Sequence, residues 1–260
     1  MAGIKDFLKD ILRPSYRSML AAMHAGDECR CNLCGKRFAA MRPRKGRHAD
    51  GSSFIIKDGA GTCWKCNSYP RVRALWHWLV NDFKIQEKVD FELLHIAPEQ
   101  QLADKFLKMP GIHYTAVDKF CPGYKYANYV SHADVTDLHF HDSMFDMIIC
   151  NHVLEHVKND SKAMSELLRV LKPNGTAVLM VPIDMDAEHT DEEKPDEELS
   201  GDERERRFGQ PDHVRMYGRD YFERLENVGF HVEHIAFPAD LVKELALNPT
   251  EEVILAVKSN

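Results

Sequence analysis

Residues Phe145 to Val157, FDMIICNHVLEHV, leave this chain few choices of fold. The apolar run Met147-Ile148-Ile149-Cys150 has no polar alternation, so both faces of the strand it predicts must be covered, as in a parallel sheet flanked by helices. The run stops at a polar turn carrying Asn151, His152, Glu155 and His156, at the edge where open α/β sheets take their ligands. Strand and helix patterns alternate on both sides of it. Phe91 to Ala97 and His113 to Asp118 read as strands, with a helix over Gln100 to Leu107 between them. A helix from Met164 to Leu171 ends at Pro173-Asn174-Gly175 and leads into a strand from Thr176 to Val181. A helix over Arg219 to Val228 and an antiparallel edge pair, His231 to Phe237 and Val253 to Val257, close the chain. The pattern predicts an α/β, doubly wound, mostly parallel sheet, and 260 residues leave room for a small accessory module beside it.

That module is announced by cysteines. Cys31-Asn32-Leu33-Cys34 and Cys63-Trp64-Lys65-Cys66 are two C-x2-C knuckles, and a tight knuckle aims two thiolates at one point. Cys31, Cys34, Cys63 and Cys66 are therefore expected to hold a structural Zn2+, with Cys29 a bystander. Seven cysteines suit a disulfide framework poorly and suit metal in a reducing compartment well. Charged residues throughout Met1 to Arg17 argue against a secretory signal, and no apolar run reaches membrane-spanning length, so a cytoplasmic setting without membrane contact is expected. Residues 1–28 read as an arm of two short amphipathic helices broken at Arg13-Pro14, packed on the body of the protein. Residues 29–73 form the zinc-knuckle module and 74–260 the large domain, which opens on a helix from Ala74 to Phe83.

The net charge of -7 conceals an asymmetry. Arg30 to Arg73 holds eleven Lys/Arg against two acids, while Ile183 to Arg207 holds twelve acids against four bases. The first stretch includes a basic hairpin or loop, Arg42 to His48, open to two readings: an anion or RNA contact, or a solvated loop. The second stretch lies at the ligand edge and, over 183–210, is expected to be a lid that the basic module neutralises.

The segment FDMIICNHVLEHV, with Leu168, Leu171-Lys172-Pro173-Asn174-Gly175 after it, resembles the fourth strand and following turn of class I S-adenosylmethionine (SAM)-dependent methyltransferases. Ala97-Pro98-Glu99 in the first turn and the segment Arg206-Arg207-Phe208-Gly209-Gln210-Pro211-Asp212-His213-Val214-Arg215-Met216-Tyr217-Gly218 further resemble a bacterial subgroup that joins a cysteine-knuckle module to this domain. The resemblance implies a seven-stranded Rossmann-like sheet with SAM at its carboxyl edge. It implies that Asp118 accepts from the two ribose hydroxyls, that Asp134 accepts from the adenine amino group, and that the Val135 backbone meets a ring nitrogen. Asp134 and Asp137 also read as turn acids holding their own backbone. The first turn departs from the family's glycine-rich pattern: His95 takes the acidic position, and Ala97, Glu99 and Gln101 stand where glycines are usual. Either Pro98 and Glu99 form a different turn whose carboxylate receives the SAM ammonium, or the pocket no longer holds cofactor. His95, Ala97, Pro98 and Glu99, with Asn151 and His152 at the polar turn, complete the candidate cofactor set.

Methyl transfer to a hydroxyl or an ammonium needs a proton acceptor. His213 is the first candidate base, with Asp212 or Glu155 orienting it and His152 next in line. Arg207 and Arg215 are open to pairing with an anionic substrate or with the acidic segment's own carboxylates. The expected activity is SAM-dependent methyl transfer to O or N of a small-molecule or sugar-linked acceptor. The alternatives are an RNA methyltransferase that uses the zinc module for recognition, against which net acidity counts, and a SAM-fold interaction module without catalysis.

Overall fold

A computed structural model describes residues 14–47 and 53–260. The chain forms two compact units: the described residues up to Ile85 together with Ala236–Glu252, and Gln86–Ile235 together with Val253–Asn260. In chain order the first unit begins with helix α1 (14–23), then β1 (Ala25–Arg30), β2 (Arg37–Phe38), β3 (Arg42–Arg47), β4 (Ser53–Thr62) and α2 (Pro70–Asn81). The second unit supplies β5 (Phe91–Ile96), α3 (Gln100–Phe106), β6 (Ile112–Asp118), β7 (Val130–His132), β8 (Phe145–Cys150), α4 (Asp160–Val170) and β9 (Leu171–Val178). It continues with β10 (Asp191–Glu192), α5 (Gly201–Phe208), β11 (Arg215–Met216), α6 (Asp220–Val228) and β12 (Phe230–Ala236). Helix α7 (Ala239–Leu245) returns to the first unit, and β13 (Glu252–Lys258) closes the sheet of the second.

Seven strands in the order β12-β13-β9-β8-β5-β6-β7 form the central sheet. The pairs β7/β6, β6/β5, β5/β8 and β8/β9 are parallel, and β13 runs antiparallel to β9. This is the Rossmann-like, mostly parallel sheet that the alternating pattern predicts. Phe145, Met147, Ile148, Ile149 and Cys150 on β8 have no exposed surface, because β5 and β9 flank the strand and helices cover its faces. Helix α4 buries Ala163, Met164, Leu167 and Val170, a stripe at helical spacing. Asn159 starts it by accepting from the Lys162 amide. The helix ends at Val170, and the Lys172-Pro173-Asn174-Gly175 stretch read as its stop lies instead in an irregular start of β9, where the register against β8 shifts.

Three expectations change. The acidic stretch after Pro182 is not a bare loop: β10 pairs with β11, and α5 is started by a Ser200–Glu203 capping box and stopped at Gly209, whose φ of 87° favours glycine. The helix assigned by sequence to the large domain clusters with the cysteine unit, as does 236–252. The cause is Arg73, fully buried, which donates to the carbonyls of Leu245, Ala246, Ser68 and Gly61 and so binds α2, α7 and the second knuckle into one piece. In the arm, residues 14–23 are helical, but Tyr16, Met19 and Met23 face solvent while Ala21 is buried; the first expected helix lies outside the described residues. No described helix is long and apolar enough to cross a membrane.

Candidate active site and cysteine cluster

The carboxyl edges of β5, β6 and β8 are neighbours in the sheet, so the turns after them converge. After β5 the chain bends at Ala97, whose φ of 50° puts a non-glycine residue in the left-handed region, with its amide on the Val117 carbonyl at 2.8 Å. The bend swings Glu99 back over the strand. Buried His95 meets the Glu99 carboxylate at 2.8 Å through Nε2 and the Tyr114 hydroxyl at 3.0 Å through Nδ1. Burial pushes the Tyr114 phenol well up, so it stays neutral and donates to Nδ1, leaving the His95 Nε2–H to donate to Glu99. Asn151 at the end of β8 donates to the other Glu99 oxygen at 3.5 Å and accepts from the Met180 amide at 3.3 Å. Position 95 thus carries an imidazole that holds the Glu99 carboxylate in place.

Asp118 ends β6, half-buried, and burial raises its carboxyl above the usual range. Asp134 is a turn acid: one oxygen accepts from the Thr136 amide and hydroxyl at 2.9 and 2.8 Å, and the other meets the Lys119 ammonium at 2.8 Å. Lys119 and the Thr136 amide hold it at about 2. Its carboxylate is committed locally, as in the turn-acid reading, and Val135 beside it is buried. Pro98 sits between Ala97 and the start of α3.

The turn after β8 gathers a second group. His152, at a φ of 54°, holds the Met180 carbonyl through its amide, and its Nδ1 lies 3.2 Å from Glu155 Oε1. His213 and Glu155 are each 2% exposed. The His213 Nδ1–H donates to the Phe208 carbonyl at 3.0 Å, which places the ring's lone pair on Nε2; burial lowers the pKa of this imidazole. Asp212 does not orient His213: its side chain is exposed, and both its carboxylate and its carbonyl meet His156, at 3.4 and 3.2 Å. Arg207 pairs with Asp191 and Glu197, and buried Arg215 pairs with Glu192 and donates to the Leu154 and Lys158 carbonyls. Arg204 and Arg224 take Glu193 and Glu192. Carboxylates of the acidic segment are thereby neutralised within its own unit.

In the other unit, Cys31, Cys34, Cys63 and Cys66 place their sulfurs within 4.8 Å of one another, with 3.5 Å between Cys31 and Cys66 and 3.6 Å between Cys34 and Cys63. The two knuckles repeat one backbone design. Gly35 and Asn67, both left-handed at φ 72° and 63°, return their amides to the carbonyls of Cys31 and Cys63. Among the residues that hold the knuckles, Arg73 and Ser68 were not singled out by sequence; a lone arginine in an apolar helix face was the available signal.

The methyltransferase domain family matches residues 101–179. Demethylmenaquinone methyltransferase of Clavibacter sepedonicus is 48% identical over 48 residues, 18% of this chain and 20% of that protein. An uncharacterized protein of Methanocaldococcus jannaschii is 43% identical over 49 residues, 19% and 21% of the two chains. The chain thus spans about a fifth of the length of the curated relatives it matches. Among solved structures, a SAM-dependent methyltransferase of Archaeoglobus fulgidus is 16% identical, covering 71% of this chain and 93% of its own, at a TM-score of 0.47. The cyclase SpnF is 15% identical, covering 97% and 94%, at 0.48. Residues 101–179 thus resemble the methyltransferase domain family, and they lie within the unit that carries the seven-stranded, mostly parallel sheet.

Proposed function

We propose that the protein transfers a methyl group from SAM to an oxygen or nitrogen of a small-molecule or sugar-linked acceptor. The observation that supports this most is the gathering of Glu99, Asp118 and Asn151 at one sheet edge, with Glu99 anchored by His95. An anchored carboxylate at the first turn fits an ammonium, and a half-buried carboxylate at the end of β6 fits a vicinal diol. SAM, when bound, supplies an electrophilic methyl on a sulfonium. Glu99 receives its ammonium, Asp118 its ribose hydroxyls, and the Val135 backbone its adenine ring. His152 is the base in this reading, since Glu155 holds its Nδ1 side and leaves Nε2 to take a proton from the acceptor. His213 is too deeply buried to serve as first choice. The four thiolates hold a structural zinc: bonds of about 2.3 Å imply sulfurs about 3.8 Å apart, close to the observed spacing.

Calorimetric titration of the full chain with SAM and S-adenosylhomocysteine tests the reading. Micromolar binding abolished by Asp118→Ala supports it. Folded protein that binds neither ligand overturns it in favour of an interaction module.

A further inference from the structure

We propose that Glu155, His156 and His213 bind a divalent transition-metal ion, in the second unit and apart from the four-cysteine cluster. One ligand atom from each of the three lies within 4.8 Å of the others. Two of those side chains, Glu155 and His213, are 2% exposed, and Glu155 Oε2 and His213 Nε2 have no hydrogen-bond partner among the described residues. A bare carboxylate oxygen and a bare imidazole nitrogen in one buried space are costly unless something joins them. No hydrogen bond joins the two atoms to each other.

The remaining atoms of the three side chains are fixed as metal ligands usually are. His213 donates Nδ1–H to the Phe208 carbonyl, His156 Nδ1 lies 3.2 Å from the Asp212 carbonyl, and Glu155 Oε1 lies 3.2 Å from His152 Nδ1. Each partner sets the tautomer or the rotamer and leaves the other basic atom of the side chain for a ligand bond. The backbone holds the two halves together, since the Val214 amide donates to the Glu155 carbonyl at 2.9 Å. Ligand bonds of about 2.0–2.2 Å require a contraction of the group by about 1 Å, and His156, on the exposed side, has room for it. Two imidazoles and one carboxylate select zinc, cobalt, nickel or iron over magnesium or calcium. Such an ion neutralises Glu155 while leaving its Oε1 on His152. It also ties the turn after β8 to the segment before β11.

The test is a titration of zinc-loaded full-length protein with Co2+, read by metal content and by visible absorption. Nitrogen and oxygen ligation gives bands distinct from the thiolate charge-transfer bands of the cysteine cluster. One further cobalt per chain is expected, with affinity falling at least about tenfold in Glu155→Gln and in His213→Gln and unchanged in the exposed control His139→Gln. Near-UV circular dichroism establishes that each variant is folded. A wild-type protein that takes up no cobalt outside the cysteine cluster overturns the proposal and leaves a buried water to bridge the pair. Binding that survives both substitutions overturns it equally.

Discussion

Replacing Arg73 by methionine is expected to unfold the cysteine unit at much lower denaturant while leaving the sheet intact. The guanidinium has no exposed surface and donates to four backbone carbonyls, those of Ser68, Gly61, Leu245 and Ala246, at 2.7 to 2.8 Å. Methionine keeps the apolar stem and removes every donor. An orphaned buried acceptor costs about 1–3 kcal/mol. Water entering the vacated space recovers part of that, so a net loss of about 3–5 kcal/mol is expected, the scale seen when one partner of a buried charged contact is removed. With a urea slope of about 1–2 kcal/mol per molar, the midpoint falls by about 1.5–5 M. All three tryptophans, Trp64, Trp76 and Trp78, lie in this unit, so their fluorescence follows it alone. Far-UV circular dichroism weighted by the larger unit follows the sheet. Arg73→Lys, which keeps the charge and cannot reach all four carbonyls, is expected to fall between. A methionine variant whose tryptophan transition moves by less than the equivalent of about 1 kcal/mol refutes the account, because a single hydrogen bond is worth that much.

Three further outcomes follow from the same reasoning. Stripping metal with a strong chelator is expected to release one zinc per chain, expose four reactive thiols and abolish the tryptophan transition, since binding energy at such a site is folding energy; thiol titration beside fluorescence measures it, and a metal-free protein with an unchanged transition counts against zinc. Asp134→Asn is expected to cost about 1 kcal/mol at neutral pH, discounted for a side chain about one-third exposed. Its folded pKa of about 2 lies below the ordinary 3.8, so this contribution is complete above that ordinary value and vanishes as pH falls through about 2; urea melts of both proteins across that range show the difference closing. Ala97→Gly is expected to stabilise the larger unit by about 0.5 kcal/mol by relieving the left-handed φ of 50°, and Ala97→Val to destabilise it by more; thermal melts rank the three.

The parts of the site that were legible in the sequence are those carried by contiguous residues. A short unbroken apolar run that stops at a polar turn suits a strand covered on both faces, and β8 is one, with no exposed surface from Met147 to Cys150. Paired C-x2-C spacings can only aim thiolates together, and four sulfurs converge. The helical stripe of α4 and the acid ending β6 follow from local periodicity in the same way. What sequence could not show depends on contacts between distant residues. The first turn was open to two readings because the contacts of His95, with Tyr114 on the neighbouring strand and with Glu99 beyond the bend at Ala97, are made only in the folded chain. His213 was the first candidate base, and its burial beside the Phe208 carbonyl at the end of α5 could not be read from its neighbours in sequence. Arg207 and Arg215 were ambiguous because ion pairing depends on which carboxylates the fold brings within reach.

The sequence by itself therefore determined the sheet, the polar turn at the end of β8 and the cysteine cluster, because periodicity and short spacing act through the backbone's own geometry. The tertiary structure alone decided which buried side chain meets which. It made Arg73 a staple, paired Asp191, Glu192, Glu193 and Glu197 with arginines of their own unit, and left Glu155 and His213 each with an unpartnered buried atom, since these outcomes rest on contacts that only packing creates.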